Sequence, residues 1–147
     1  MHNKTHPQNL TGLELMQAML REEVPHPTMS DTIPMKGILA EQGRVIFEVK
    51  ADKRHLNVHG GIHGGFAASV LDSTTGSAVH TMLDAGVAYA TIDLNIKMCR
   101  PVPIDLPLFA EGTIINLSKS LGIAEGTLKD DAGKLYAYAS ATCMIIK

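Results

Sequence analysis

The sequence predicts an α+β protein in which one long helix lies against a mostly antiparallel sheet. Three observations favour this class. A nearly unbroken apolar run begins at Phe66, directly after a glycine-rich segment. Turn residues end that run at positions 84–86. Most of the remaining chain consists of strand-like segments in which apolar and polar residues alternate. The helix is therefore expected to lie on one face of the sheet.

The chain before the glycines is expected to form a short helix and a β-hairpin. Thr11 and Glu14 have the spacing of a capping box, and apolar residues recur after them at helical intervals to about residue 23. Strands are expected at 35–40 and 44–50, joined by a turn at Gln42 and Gly43. The helix of 11–23 is an addition in front of the main sheet.

The long helix is expected at about 64–83, followed by strands at 87–99, 108–117, 121–128 and 134–146. In the first of these strands one face is predicted to carry Ile92, Leu94, Ile96 and Met98. In the last strand one face carries only small side chains, those of Ala137, Ala139, Ala141 and Cys143. Small residues there would let the helix approach the sheet closely.

Length and composition indicate a single globular domain over 1–147, with 1–10 as a loose polar terminus that lacks a signal sequence. The formal net charge of −2 argues against nucleic acid or an anionic membrane as partner. No run approaches the roughly 18 apolar residues of a membrane span. Cys99 and Cys143 form no CxxC pair, which favours a reducing compartment. We therefore expect a cytoplasmic protein.

The segment at 55–72, HLNVHGGIHGGFAASVLD, concentrates the unusual chemistry of the chain. Asp72 lies inside the predicted helix, and the residues one turn away are small: Ala68, Ser69, Thr75 and Gly76. A buried carboxylate must be hydrogen-bonded, protonated or exposed to a cavity. Asp72 is thus either a functional carboxylate or a structural one bonded to Thr75 or to loop backbone.

Gly64 opens the predicted helix, where a free backbone N–H and the helix dipole suit an oxyanion. Asp72 follows eight residues later, which on a helix is about 12 Å. One substrate carbonyl cannot readily contact both groups of a single chain. If both act on one atom, Asp72 comes from a second subunit, which predicts a homodimer with shared sites.

Other functional motifs are not supported. His59 and His63 have the spacing of two zinc ligands on a helix, but Gly60 and Gly61 lie between them and no third ligand is evident. We therefore expect no metal site. The glycines do not match the dinucleotide or phosphate-loop patterns, and the sequence has no GxSxG nucleophile motif.

Several of these residues together resemble a known family. Asn57, His63-Gly64-Gly65, Asp72, the segment Thr91-Ile-Asp-Leu-Asn-Ile and then Arg100-Pro101-Val102 are similar to the PaaI-type branch of the hotdog-fold acyl-CoA thioesterases. The resemblance covers roughly residue 33 to the C-terminus. It implies the hotdog fold, in which a sheet wraps one long helix. It also implies hydrolysis of an acyl-CoA to a carboxylic acid and free CoA, with neither metal nor organic cofactor.

The resemblance also implies residue roles. Asp72 would be general base or nucleophile, and the Gly64 N–H would stabilise the oxyanion. Asn57 and His63 would position water, substrate or carboxylate, and Thr91 would help to hold the water. The loop and the carboxylate would meet across a dimer interface, and such dimers commonly form tetramers. The candidate contacts for CoA are Gly65, Lys97, Arg100 and Lys119.

Two alternatives remain open at this stage. A non-catalytic acyl-CoA sensor on the same fold would bind substrate without releasing CoA. An enoyl thioester hydratase would need an Asp/His pair of different spacing, which the sequence lacks. The acyl group is undetermined, since both medium-chain aliphatic and aryl groups suit a pocket lined by Leu, Met, Val and Ala.

Overall fold

The computed structural model describes residues 6–147, which form three α-helices and six β-strands. The helices are α1 (Gly12–Leu20), α2 (Met29–Thr32) and α3 (Gly64–His80). The strands are β1 (Met35–Glu41), β2 (Arg44–Val49), β3 (Ala88–Met98), β4 (Leu108–Leu117), β5 (Leu121–Lys129) and β6 (Leu135–Ile146). Single 3-10 turns occur at Pro7–Asn9 and Lys53–His55. The first half of the predicted loose terminus, 1–5, lies outside the described residues, and the second half contains the first of these turns.

The six strands form one sheet in the order β1-β2-β4-β5-β6-β3, and every neighbouring pair is antiparallel. The predicted α+β class, with one long helix against an antiparallel sheet, is confirmed. Strands β1 and β3 are the two edges. Within residues 6–147 no helix is both long and apolar enough to cross a bilayer.

Helix α3 lies very close to the sheet because the strands beneath it carry glycine and alanine. A β-carbon at Gly112 would be 2.5 Å from the Thr74 carbonyl oxygen, and one at Gly126 would be 3.1 Å from Thr75 Cγ2. The small residues predicted on β6 are all buried. The core around them includes Val70, Leu71, Val79, Leu108 and Leu128. The close helix–sheet approach inferred from the β6 alanines is therefore confirmed.

Strand β3 contains a β-bulge that the sequence did not predict. Thr91 pairs with Cys143 and Asp93 pairs with Thr142, so Ile92 is an extra residue between two consecutive positions of β6. The predicted single face of Ile92, Leu94, Ile96 and Met98 is therefore wrong at its first member. Ile92 is 57% exposed at the sheet edge. The bulge places both Thr91 and Leu94 on the face toward α3, since their partners Cys143 and Ala141 belong to the buried face of β6.

Helix α1 begins with the predicted capping box: the Glu14 N–H donates to Thr11 Oγ1 at 3.2 Å, and the Thr11 N–H donates to the Glu14 carboxylate at 2.9 Å. It ends at Leu20, slightly before the predicted residue 23. The Gly12 N–H donates to the Leu83 carbonyl at 3.0 Å, so the start of α1 is fixed to the chain just beyond α3. The short helix α2 was not predicted.

Candidate active site

The loop before α3 is organised by Asn57. Its Oδ1 accepts hydrogen bonds from the N–H groups of His59 at 2.9 Å and Gly61 at 3.2 Å. The Asn57 N–H donates to the Gly61 carbonyl at 2.8 Å. The side-chain carbonyl is thus committed to the loop backbone. Within the described residues no hydrogen bond uses the Asn57 amide Nδ2, which leaves it available as a donor.

His63 caps α3. Its Nδ1 accepts a hydrogen bond from the Gly65 N–H at 2.7 Å, so the ring satisfies one of the free donors of the first helical turn. The predicted CoA contact at Gly65 therefore cannot use that N–H while the cap is intact. The Gly64 N–H, by contrast, makes no hydrogen bond within residues 6–147. This donor at the first helical position remains free for an oxyanion.

A cavity of about 340 Å³ opens beside Gly64. Its wall includes His63, Met98, Arg100 and Tyr136. A β-carbon at Gly64 would lie 3.0 Å from Met98 Sδ, so glycine keeps this entrance open. Arg100 is exposed at the rim, and its Nη1 donates to the Leu135 carbonyl at 2.6 Å. Of the predicted CoA contacts, Arg100 is the basic side chain beside the free N–H.

The other two predicted basic contacts are not brought to this cavity within one chain. Lys97 pairs with Tyr138, between the buried Ala137 and Ala139, and so lies on the sheet face opposite α3. Lys119 lies in the turn between β4 and β5, next to Ser120, whose carbonyl contacts the C-terminal end of β6. Arg100 contacts the N-terminal end of the same strand.

Asp72 lies partly buried in α3, and its Oδ1 is a buried oxygen without a hydrogen-bond partner among the described residues. Thr75 does not supply one: its hydroxyl donates to the backbone carbonyls of Leu71 at 2.7 Å and Asp72 at 3.2 Å. The alternative of a structural carboxylate bonded to Thr75 is therefore not observed. An unpaired buried oxygen is costly, so Asp72 stays a candidate for the functional carboxylate.

The negative charge of Asp72 raises the pKa of two neighbouring groups, Tyr89 on β3 and Cys143 on β6. Burial raises the pKa of Tyr89 to about 12, with smaller contributions from the charges of Cys143 and Asp72. Burial also raises the pKa of the Cys143 thiol, which the hydrogen bond to Thr91 lowers and the Asp72 charge raises. Thr91 Oγ1 lies 3.7 Å from Cys143 Sγ. Thr91 and Asp72 thus both act on the Cys143 thiol.

Sequence reasoning missed Tyr89, which neighbours Asp72, and His55, which lies in the loop before α3. The His55 Nδ1 accepts from the Asp52 N–H at 3.0 Å, and the other ring nitrogen is 2.7 Å from the Thr32 carbonyl. His55 therefore connects the loop to α2. A signal for Tyr89 existed in the glycine at position 76, since glycine inside a helix is costly and often marks a close approach. His55 had no comparable signal.

The candidate groups thus form two half-sites on one helix. The first holds Asn57 and Gly64 at the start of α3, and the second holds Asp72 and Thr91 about 12 Å further along the axis. Within residues 6–147 no three or more His, Cys, Asp or Glu side chains are grouped as metal ligands would be. The arrangement offers a hydrogen-bond donor for a developing oxyanion and, separately, a carboxylate.

Comparison with known proteins identifies the family. A model described as the thioesterase superfamily matches residues 59–137, more than half of the chain. Acyl-coenzyme A thioesterase 13 of Homo sapiens is 27% identical over 106 residues, which cover 71% of this chain and 75% of that protein. A Halobacterium salinarum protein provisionally named an esterase is 40% identical over 68 residues. That match covers 45% of this chain and 44% of the relative, so it spans less than half the relative's length.

A solved structure gives the same answer. The crystal structure of a phenylacetic acid degradation-related protein from Ralstonia eutropha superposes with a TM-score of 0.80 at 29% sequence identity. The superposition covers 88% of this chain and 98% of that one. The chain therefore belongs to the thioesterase superfamily, and its hotdog fold and its class as a thioester hydrolase, both predicted above, are confirmed.

Proposed function

We propose that this protein hydrolyses acyl-CoA thioesters, releasing a carboxylic acid and free CoA, at sites shared between the subunits of a homodimer. The observation that carries the proposal is a pair of groups on α3 that have no hydrogen-bond partner among residues 6–147, the N–H of Gly64 and the Oδ1 of Asp72. Thioester hydrolysis needs both kinds of group, a donor for the carbonyl oxygen and a base or nucleophile. The acyl-CoA substrate is supported by the similarity to human acyl-coenzyme A thioesterase 13.

In the general-base form of the reaction, Asp72 takes a proton from water as the water oxygen attacks the thioester carbonyl carbon. The carbonyl oxygen becomes an oxyanion that accepts a hydrogen bond from Gly64 of the other subunit. The C–S bond then breaks, the sulfur leaves with its electron pair, and the thiolate is protonated. Thr91 would orient the water, and Asn57 would hold the donor loop in place.

In the nucleophile form, an Asp72 oxygen attacks the carbonyl carbon directly and thiolate leaves, which gives an acyl anhydride on the enzyme. Water then hydrolyses the anhydride. Label in Asp72 after a single turnover in oxygen-18 water would establish the nucleophile form, because water that attacks the Asp72 carbonyl carbon of the anhydride leaves its oxygen on Asp72, whereas the general-base form never labels the carboxylate. Mass spectrometry of the peptide that contains Asp72 reads the result.

Edge strand β3 is the proposed dimer contact. Among the described residues no strand pairs with one side of β3, and β3 carries two exposed apolar side chains, Ile92 at 57% and Met98 at 56%. An exposed strand edge of this kind is suited to pairing with another chain. Pairing there would bring a partner's chain close to both half-sites, because Thr91 belongs to one and Met98 contacts the other. A tetramer of two such dimers remains part of the proposal.

The test is release of thiol from a panel of acyl-CoAs by the wild type and by Asp72→Asn. We expect the variant to lose on the order of 10²-fold or more in kcat, because it loses a base or nucleophile. Asp84→Asn, an exposed carboxylate outside α3, is the matched control. Full activity in Asp72→Asn would overturn the proposed mechanism. Tight binding of acyl-CoA by the wild type without thiol release would instead support a sensor.

A further inference from the structure

A second cavity, of about 100 Å³, lies between the N-terminal helices, the first two strands and one face of α3. Most of its wall is apolar and flexible, formed by Met16, Met19, Leu20, Met29, Ile33, Met35 and Phe47. The α3 side is different, since it presents Ser69, Ser73 and Ser77, which recur every four residues along one line of the helix. Three hydroxyls of α3 therefore line this mostly apolar space, and His26 and Ser30 add polar groups on the side of the N-terminal helices.

These hydroxyls are not satisfied by the helix itself. In the same helix Thr74 donates to the Val70 carbonyl at 2.6 Å and Thr75 to the Leu71 carbonyl at 2.7 Å. Within residues 6–147 the three serine side chains make no such hydrogen bond. Each hydroxyl retains a donor and two acceptor positions. A polar group of a ligand that enters the cavity can use them.

The cavity begins one helical turn from the proposed site of chemistry. Ser69 precedes Asp72 by three residues, and side chains with this spacing are neighbours, with β-carbons about 5–6 Å apart. An acyl group whose carbonyl carbon lies at the Asp72 carboxylate therefore reaches the cavity by passing Ser69. Oxygens near the carbonyl would meet Ser69 and Ser73, and more distant ones would meet Ser77.

We propose that this cavity binds the acyl group of the thioester and selects short acyl chains that carry a hydroxyl over plain hydrocarbon chains of equal length. The inference rests on the proposed acyl-CoA hydrolysis. The volume limits chain length, because an apolar cavity of about 150 Å³ holds only a molecule the size of benzene. The four methionines can adapt to the shape of the chain. The serine hydroxyls supply the selectivity, because a site built to bond a hydroxyl discriminates against an analogue that lacks it.

The test compares butanoyl-CoA with 3-hydroxybutanoyl-CoA, which differ by one hydroxyl. We expect kcat/KM of the wild type to favour the hydroxylated substrate by about tenfold. Ser69→Ala and Ser73→Ala should each lower kcat/KM for that substrate by about threefold to tenfold, and so reduce its advantage over butanoyl-CoA. Ser140→Ala, on the sheet face opposite α3, is the matched control. Because alanine favours helix, both α3 variants should fold.

Equal kcat/KM values for the two substrates, or serine variants that affect both alike, would overturn the proposal. Calorimetric binding of both thioesters to Asp72→Asn tests the pocket without hydrolysis. A binding preference for 3-hydroxybutanoyl-CoA that Ser73→Ala removes would support the pocket even if no thioester were hydrolysed. Selective binding without hydrolysis would reject the proposed catalysis and leave the proposed pocket intact. Failure of the catalysis can therefore be told apart from failure of the pocket.

Discussion

The ring of Tyr89 lies directly against the backbone of Gly76, where a β-carbon would come within 2.7 Å of Tyr89 Cε2 and 2.9 Å of its hydroxyl oxygen. Gly76 is one helical turn beyond Asp72, so the phenol is fixed next to the carboxylate-bearing region. A glycine in a helix interior costs about 0.5–1 kcal/mol relative to alanine. The close contact with the Tyr89 ring explains why position 76 is a glycine. Because Tyr89 is buried, the pKa of its phenol differs between the folded and the unfolded chain.

Tyr89→Phe should reduce the loss of stability at high pH. The pKa of Tyr89 is raised to about 12 in the folded protein, from an ordinary value of 10.0, first by burial. The phenol is therefore neutral in the folded state when the unfolded chain already ionises. The neutral phenol contributes roughly 2–3 kcal/mol to the free energy of unfolding below pH 10, and this contribution is lost as the pH rises through 12.

Urea unfolding at several pH values between 9 and 12 measures this effect. Tyr136 and Tyr138 also have raised pKa values, Tyr136 through burial and Tyr138 through its hydrogen bond to Glu125. The variant should thus flatten the decline without abolishing it, and Tyr138→Phe is the comparison. An unchanged decline in Tyr89→Phe would contradict the prediction.

Asp72→Ala should make the protein inactive but more stable. The substitution removes a buried oxygen that has no hydrogen-bond partner in the described part of the chain, and it places a better helix former inside α3. A gain of about 1 kcal/mol would raise the melting temperature by about 2–4 °C in a chain of this size. Thermal unfolding at fixed protein concentration, beside exposed Asp84→Ala, is the measurement. A marked fall in the melting temperature would show that the carboxylate has a structural partner.

Gly64→Pro and Gly64→Ala distinguish loss of the N–H donor from crowding of a new β-carbon against Met98. Proline suits the first position of a helix but has no N–H, whereas alanine adds a similar β-carbon and keeps the donor. We expect the proline variant to lose about 10²–10³-fold in kcat, the usual effect of removing one oxyanion donor. The alanine variant should lose much less, because Met98 can shift. Equal losses in both variants would assign the effect to crowding against Met98.

Mixing two inactive variants tests whether the sites are shared. Asp72→Asn and Gly64→Pro subunits, unfolded together and refolded, should form mixed dimers as half of the population. Each mixed dimer contains one site with both intact groups and one with both defects, so about a quarter of wild-type activity should return. Each variant refolded alone is the control. Activity that stays at background would place both groups of a site in one chain.

Arg100→Ala should weaken binding of the CoA portion of the substrate. Arg100 lies at the rim of the cavity beside Gly64, where a phosphate of CoA could accept its hydrogen bonds. We expect KM for an acyl-CoA to rise by about threefold to tenfold, with little change for the matching acyl-pantetheine, which lacks the nucleotide. Lys129→Ala, an exposed lysine at the end of β5, is the control. An equal rise with both substrates would argue against a phosphate contact.

Regular elements of this chain could be predicted because their signals are local. The capping box at Thr11, the glycine entry to α3 and the alternation in β2 each depend on residues close in sequence, and each element was found within a few residues of its predicted bounds. Candidate residues Gly64 and Asp72 were also evident, since a free helix-start N–H and a helical carboxylate are properties of local sequence.

Contacts between distant segments could not be predicted in this way. The bonds of His55 to Thr32 and of Gly12 to Leu83 depend on how the N-terminal helices pack, which no local pattern encodes. Tyr89 was missed for the same reason. The bulge at Ile92 was not predicted because apolar residues alternate without interruption in the sequence of β3. The bulge is visible only in the pairing with β6, where β3 has one extra residue.

That extra residue gives β3 two phases. Before Ile92 the odd-numbered side chains Tyr89 and Thr91 face α3, and after it the even-numbered Leu94, Ile96 and Met98 do so. A strand without the bulge could direct the Thr91 side chain or the Met98 side chain toward α3, but not both. Deleting one residue here would therefore turn either Thr91 or Met98 away from α3 and leave the other in place. The bulge therefore lets one strand place side chains against both the Asp72 region and the start of α3.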